Sequence, residues 1–336
     1  MTGKRFLVLG GGVGGLVAAN ELRRQLGQEH EVTLVDRRDR HLWQSSLAWV
    51  MIGTRTETQI TRRLSMLNKK GINTIKAEVE QIDIANKKVV TSVGTLLYDY
   101  LVVSLGVELD ANAIPGFKEA ALNYYDLDGA ARINRAIRRF RGGRVVILIA
   151  RHPYKCPVAP YEAAFLLDAY FRGRKIRKRV SIELVTPETQ PLPVHPDFMR
   201  LRFMRLMRKR RIKFTPDSHV ESVDTKNRRI LLNNNFPAVP YDLLIGVPPH
   251  RPPAVVRNSQ LSKGTEGWIP VDRHTMWTKY DDVYAIGDIT QIKTPLGEVF
   301  PWSGFAAESQ AKVVAANLVS ALKGERMGRR FSGTGP

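Results

Sequence analysis

The sequence predicts an α/β protein with two doubly wound, Rossmann-like dinucleotide-binding units. Residues 4–36 read strand, glycine-rich turn, helix, strand, and residues 144–185 repeat strand, loop, helix, strand. The runs Tyr98–Val107 (YDYLVVSLGV) and Tyr241–Val247 (YDLLIGV) each set Tyr-Asp before an apolar strand that reaches a glycine. A βαβ plan present twice predicts two parallel sheets, because each copy supplies a strand pair and the helix that covers it.

The elements follow in order. Lys4–Leu9 is a β-rich apolar run of the kind buried on both faces of a parallel sheet. Gly10–Gly15 breaks it, and Leu16, Ala19, Leu22 and Leu26 then recur at helical spacing. Glu31–Val35 closes a unit of about thirty residues. Ser45–Leu67 reads as partly helical, Ile72–Ile84 and Lys88–Thr91 as strands, and Tyr100–Leu105 as a buried strand ended by Gly106. The turn-rich Asp110–Gly116 is a natural boundary. Ala130–Phe140 reads as a helix with a basic face, Arg144–Ala150 as a strand, Arg151–Pro160 as a proline-rich loop, Tyr161–Phe171 as a helix and Val180–Val185 as a strand. Val283–Asp288 and a helix Ala306–Leu322 return to the first unit. The expected division is 1–112 plus 268–336 against 113–267.

With 43% hydrophobic and 25% charged residues in 336, the chain has an ordinary globular composition. No run approaches eighteen apolar residues, so no transmembrane helix is expected. Met1–Leu9 enters a strand without the apolar region of a secretory signal, so the expected location is cytoplasmic, with the inner membrane face as a peripheral site. The net charge of +20 is unusual, and about half of the Lys and Arg lie between Arg132 and Arg229. It fits an anionic membrane surface or a simple solvated basic face. Nucleic acid ranks last as a partner, because no reading motif accompanies the charge. A single cysteine, Cys156, excludes an intrachain disulfide. No metal site is expected.

Gly10, Gly12 and Gly15 form G-x-G-x-x-G between strand and helix, with Val13 and Gly14 inside the turn. The first glycine permits the tight turn, the second lets a pyrophosphate approach the backbone, and the third lets helix and strand pack closely. The phosphates then sit at a positive helix N-terminus. Asp36, about twenty residues on, is placed to accept hydrogen bonds from a ribose diol. After Arg144–Ala150 the second unit has no such glycines, so NAD(P)H binding in the usual way is not expected.

Two segments carry a family resemblance. Tyr284-Ala285-Ile286-Gly287-Asp288 resembles the second FAD fingerprint of the pyridine nucleotide-disulfide reductases, whose plan is that of glutathione reductase. Pro153-Tyr154-Lys155-Cys156-Pro157-x-Ala159-Pro160-Tyr161-Glu162 resembles the active-site segment of sulfide:quinone oxidoreductases and of the flavoprotein subunit of flavocytochrome c sulfide dehydrogenases. The resemblance spans nearly the whole chain. It implies non-covalent FAD held by Gly10, Gly12, Val13, Gly14, Gly15 and Asp36, with Arg37, Val79 and Gly106 beside them. Gly287, Asp288, Trp302 and Gln310 would complete the set, the last helix aiming its N-terminus at the flavin. It also implies that Cys156 accepts sulfur and Glu162 handles a proton, with electrons passing from sulfide or a related sulfur species to quinone or another acceptor. Taken singly, Cys156 also reads as a buried structural thiol and Glu162 as a solvated or N-capping carboxylate. His195 reads either as a residue near the substrate path or as a satisfied loop histidine.

The family mechanism needs a second redox cysteine, and the 336 residues hold one. Phe331–Pro336 resembles the stretch just before that residue, so truncation and loss of disulfide chemistry both stay open. Two rival functions stand beside the leading one: a type II NADH:quinone dehydrogenase-like enzyme, and a flavin-bound relay or assembly subunit. A homo-oligomer is compatible with all three. Arg200–Ile212 alternates Arg and Lys with Leu, Phe and Met. It reads either as a docking helix for an anionic bilayer or as a helix packing Leu201, Met204 and Met207 on the second sheet.

Overall fold

A computed structural model describes residues 3–193, 197–233, 236–294, 297 and 299–333. In chain order the elements used below begin with β1 (Arg5–Leu9), α1 (Val13–Gln25), β2 (Glu31–Asp36), α2 (Leu47–Met51), β3 (Asn73–Lys76) and β4 (Tyr100–Val103). Next come α3 (Leu127–Arg139), β5 (Gly143–Ile149), α4 (Ala159–Gly173), β6 (Val180–Val185), α5 (Asp197–Lys209) and β7 (Ile212–Thr215). β8 (Leu243–Val247), β9 (Val283–Ala285) and α6 (Gly304–Leu322) complete the set.

The chain divides into two compact units: residues 1–42, 61–108 and 251–336 form one, and 43–60 with 109–250 form the other. Residues 43–60 join the second unit and 251–267 the first for local reasons. α2 packs on α3 and α4, and Asn134 donates to the Met51 carbonyl at 3.1 Å. Conversely, Val256 and Leu261 are buried in the first unit's core beside Val35 and Leu101.

The first unit is a five-stranded parallel sheet in the order β9-β4-β1-β2-β3. Along β1, Phe6 and Val8 enter one core and Leu7 and Leu9 the other. That two-sided burial is why the strand reads as an unbroken apolar run. The sequence suggested one strand over Ile72–Ile84; the chain forms two. Asn73–Lys76 joins the parallel sheet, whereas Val79–Asp83 joins a separate antiparallel three-stranded sheet. The break falls at Ala77, whose N–H turns to the Asp36 carbonyl at 2.9 Å.

The second unit repeats the plan with four parallel strands in the order β7-β6-β5-β8. In both units the chain leaves the first strand toward one side and later returns to its other side. That is the switch point at which doubly wound sheets open a crevice at their strand ends.

Arg200–Ile212 follows the packed reading at Met207 and departs from it at Leu201. Its helix, α5, buries Met207 and turns Phe203 toward Tyr161 and Phe165, at ring separations of 6.1 Å. Residues 203 and 207 lie one turn apart on one face, so Leu201 falls on the opposite face and is 62% exposed.

Candidate dinucleotide and thiol sites

In the first unit each glycine of the turn meets a different constraint. Gly10 has φ +101°, and a Cβ there would lie 2.2 Å from the Ser104 carbonyl oxygen. A Cβ on Gly15 would lie 1.8 Å from the Gly10 carbonyl oxygen. A Cβ on Gly14 would lie 2.8 Å from the Ser104 hydroxyl, and α6 contributes Ala307 to the same contact. Gly12 differs: nothing lies within 4 Å of the place its Cβ would take. Gly12 caps α1 with no side-chain hydrogen bond of its own, so helix N–H groups open onto that space. A group with phosphate oxygens fits such a place, because the orphan donors and the helix dipole both favour negative charge.

Asp36 ends β2. Its carboxylate accepts from Gly11 N–H at 2.6 Å and from Arg38 N–H at 2.7 Å. It thereby fastens the glycine turn to the second strand. Arg37 points outward, 3.8 Å from the Glu78 carboxylate with both half exposed. Val79 is buried in the core, so only its backbone can face a ligand. Gly106 has φ +66° and open space around it.

The Gly-Asp turn follows β9. Gly287 has φ +75° and donates its N–H to the Gln310 side-chain oxygen at 2.7 Å. Gln310, buried in α6, thus shapes the turn instead of facing outward. Ser303 caps α6 by accepting from Ala306 N–H at 3.2 Å, so the helix begins two residues earlier than its apolar spacing suggests. Trp302 donates to the Thr290 carbonyl at 2.9 Å. Gly287, Asp288, Trp302, Ser303 and Gln310 share the lining of one cleft. The sequence reading had not included His41, whose ring Nδ1 lies 2.9 Å from the Gly11 carbonyl. No local pattern marks it; the chain brings it there from thirty residues away.

In the second unit the loop between β5 and α4 carries Cys156. The residue is half-buried and has φ +54°, a left-handed conformation. Its carbonyl accepts from Ala159 N–H at 2.9 Å, leading into α4. Glu162 lies in the first turn of α4 and is half-buried. Burial pushes its carboxyl up from the usual range, and a hydrogen bond from Trp49 holds it partly down. A carboxyl in that state can hold or release a proton nearer neutrality than a solvated one.

Two buried tyrosines, Tyr124 and Tyr125, adjoin the thiol. Burial first, and then neighbouring charges that include Cys156, push both phenols well above their ordinary values. The Lys155 ammonium lies 5.9 Å from the Tyr125 ring centre. His250 packs edge-on against Tyr125 at 5.5 Å. Burial and then the Lys155 charge lower its pKa to about 3, so the ring is neutral. Its Nδ1 lies 2.8 Å from the Pro248 carbonyl. A carbonyl only accepts, so Nδ1 carries the proton and Nε2 is left as an acceptor. His195 lies outside the described residues.

The family model described as pyridine nucleotide-disulphide oxidoreductase matches residues 4–148. The model described as sulfide dehydrogenase [flavocytochrome c] flavoprotein chain, central, matches residues 133–239. The mitochondrial sulfide:quinone oxidoreductase of Dictyostelium discoideum is 26% identical over 341 residues, covering 98% of this chain and 73% of that protein. A type II NADH:quinone oxidoreductase of Staphylococcus saprophyticus is 26% identical over 352 residues, covering 96% and 83%. The X-ray structure of the sulfide:quinone oxidoreductase from Aquifex aeolicus superposes with a TM-score of 0.87 at 24% identity, covering 96% and 77%.

Proposed function

We propose, for a chain that belongs to the sulfide:quinone oxidoreductase and flavocytochrome c sulfide dehydrogenase flavoproteins of the pyridine nucleotide-disulfide oxidoreductase superfamily, that its sulfur chemistry runs through Cys156. The protein is an FAD-dependent oxidoreductase of the α/β class. The first unit fits FAD: open space and helix N–H groups stand at Gly12, while Asp36 and the Gly287–Asp288 turn lie at the same strand ends. The cofactor, when bound without a covalent link, supplies a two-electron acceptor.

The observation that carries the reading is the second unit's loop. Where a nicotinamide-binding unit sets glycines, this one presents a thiol on a left-handed backbone, inside the segment that matches the sulfide dehydrogenase flavoprotein. Joining a sulfide sulfur to the Cys156 sulfur makes one S–S bond and releases two electrons and the sulfide's proton. The raised carboxyl of Glu162 is suited to take that proton. Quinone then serves as the final acceptor, as the names of the relatives state for those proteins.

Anaerobic sulfide titration tests the reading. The wild type loses its flavin absorbance and gains about one sulfur by intact mass, whereas Cys156→Ala does neither. Equal bleaching in both proteins makes Cys156 a packing residue. The type II NADH:quinone dehydrogenase reading is tested beside it. NADH leaves the flavin oxidised here, because bulky Tyr154 and three prolines stand where a pyrophosphate must touch backbone. Rapid bleaching by NADH supports the rival.

The reading includes an anionic membrane surface as a docking partner. Among the described residues no helix is long and apolar enough to cross a membrane. α5 instead presents Phe198 (70% exposed) and Leu201 (62% exposed) on one side with Arg202, Arg205 and Arg208. Apolar tips with a basic flank suit the interface of an anionic bilayer. Vesicles containing phosphatidylglycerol should co-sediment the protein and phosphatidylcholine vesicles should not, with Phe198→Ser/Leu201→Ser losing the effect. Equal sedimentation of that variant removes α5 from the surface.

A further inference from the structure

The strongest group left unused by the chemistry above is a buried carboxyl in the second unit. Glu188 lies just past the end of β6, and its side chain is 1% exposed. The Tyr154 hydroxyl donates to one of its oxygens at 2.8 Å and the Tyr161 hydroxyl donates to the other. Its own N–H donates to the Thr186 hydroxyl at 3.1 Å, and its carbonyl accepts from Asp217 N–H at 3.1 Å. The backbone of Glu188 is therefore anchored independently of its side chain. Tyr154 and Tyr161 bracket Cys156, one before it in the loop and one after it in α4.

The first unit offers an internal comparison. There the acid that ends the second strand, Asp36, fastens the loop that follows the first strand through the Gly11 N–H. In the second unit the loop after the first strand has lost its glycines. The acid after the second strand reaches the loop through two phenols instead of a backbone N–H.

We propose that Glu188 is a positioning residue that pins the Cys156 loop by accepting the Tyr154 and Tyr161 hydroxyls, the second unit's counterpart of the Asp36 fastening. The physical case is direct. Two hydroxyls shared by one buried carboxyl group are hydrogen bonds in a low-dielectric place, where each is stronger than in water. Cys156 sits in a left-handed conformation that a non-glycine residue leaves when it is not held. A restraint on both sides of the thiol is what keeps it there. The inference rests on reading Cys156 as the reactive thiol.

The test is the rate of Cys156 alkylation by iodoacetamide across pH 6 to about 9, with Tm measured in parallel. Tyr154→Phe removes the Tyr154 bond to Glu188 together with a longer one to the Pro157 carbonyl at 3.4 Å, and Glu188→Ala removes both bonds to the carboxyl. Each should raise the alkylation rate several-fold, up to roughly tenfold for the loss of one buried hydrogen bond. Glu188→Gln, which can still bridge the two hydroxyls, should stay near the wild-type rate. Asp168→Asn is the control, since it disturbs a buried carboxylate at the far end of the same helix, paired there with Arg172 and Arg177. It should lower Tm and leave the alkylation rate unchanged. Wild-type rates in Tyr154→Phe and Glu188→Ala overturn the proposal, and so does an equal rise in Asp168→Asn. Should Glu188→Ala fail to fold, Tyr154→Phe decides alone. Alkylation reads the loop and not sulfide oxidation, so its failure is separable from failure of the sulfide titration.

Discussion

Gly12 and Gly15 stand three residues apart in one motif, yet the structure separates what each does. Gly15→Ala places a methyl 1.8 Å from the Gly10 carbonyl oxygen, a backbone atom that cannot swing aside. Ordinary contact needs about 3.5 Å, so β1 and α1 must part by more than an ångström. Overpacking of that kind costs about 1–3 kcal/mol or more. Gly12→Val meets nothing within 4 Å of its Cβ, and Gly12 has φ −69°, which any residue adopts. Its stability cost without ligand should be about 0.5–1 kcal/mol, because valine caps a helix less well than glycine. Its side chain, however, fills the space in front of the α1 N–H groups. Losing one charge-assisted hydrogen bond costs about 1.5–3 kcal/mol, a roughly ten- to hundredfold weaker affinity for FAD. The assay is Tm with flavin content from the visible absorbance of the purified proteins. Gly15→Ala should lose stability whether or not it keeps flavin, whereas Gly12→Val should fold and purify colourless. A yellow, fully loaded Gly12→Val protein refutes the placement of the pyrophosphate at Gly12.

Three further outcomes follow from the second unit. Cys156→Gly should be about 1 kcal/mol more stable than Cys156→Ala in urea unfolding, because glycine adopts φ +54° without penalty; equal midpoints would mean the conformation is not retained. Burial raises the Glu188 carboxyl above its ordinary value. Its protonated form is therefore favoured in the fold, and its contribution to stability is full below the unfolded value and shrinks as pH rises through the folded one. The Tm of wild type relative to Glu188→Gln should accordingly fall from about pH 4 toward neutrality, and the opposite slope contradicts the assignment. Asp168 behaves in the reverse sense. Though burial opposes it, its arginine partners hold the carboxyl below its ordinary value. The stability it contributes should persist at neutral pH and be lost only on strong acidification, a dependence that Asp168→Asn should abolish in acid titration.

The sequence by itself determined the parallel-sheet plan, because buried strands such as KRFLVL and RVVILIA must be apolar on both faces and glycine turns must interrupt them. It likewise marked Gly10 and Gly15, since backbone needs of that kind leave few alternative residues, and it offered Gly12, Asp36 and the Gly287–Asp288 turn as ligand positions by motif. The reading of Cys156 and Glu162 as a reactive pair rests on likeness to a known segment, as spacing alone does not separate a reactive thiol from a packed one. Tertiary structure decided the rest. It assigned 43–60 to the second unit and 251–267 to the first, because packing partners need not be neighbours in the chain. It turned Leu201 outward by setting the phase of α5 on Phe203 and Met207. It also gathered Glu188, Tyr154 and Tyr161, and His250 with Tyr125, from segments separated by dozens of residues. Such groups carry no local signal. A buried carboxyl or imidazole becomes informative only when the fold removes its water and supplies its partners.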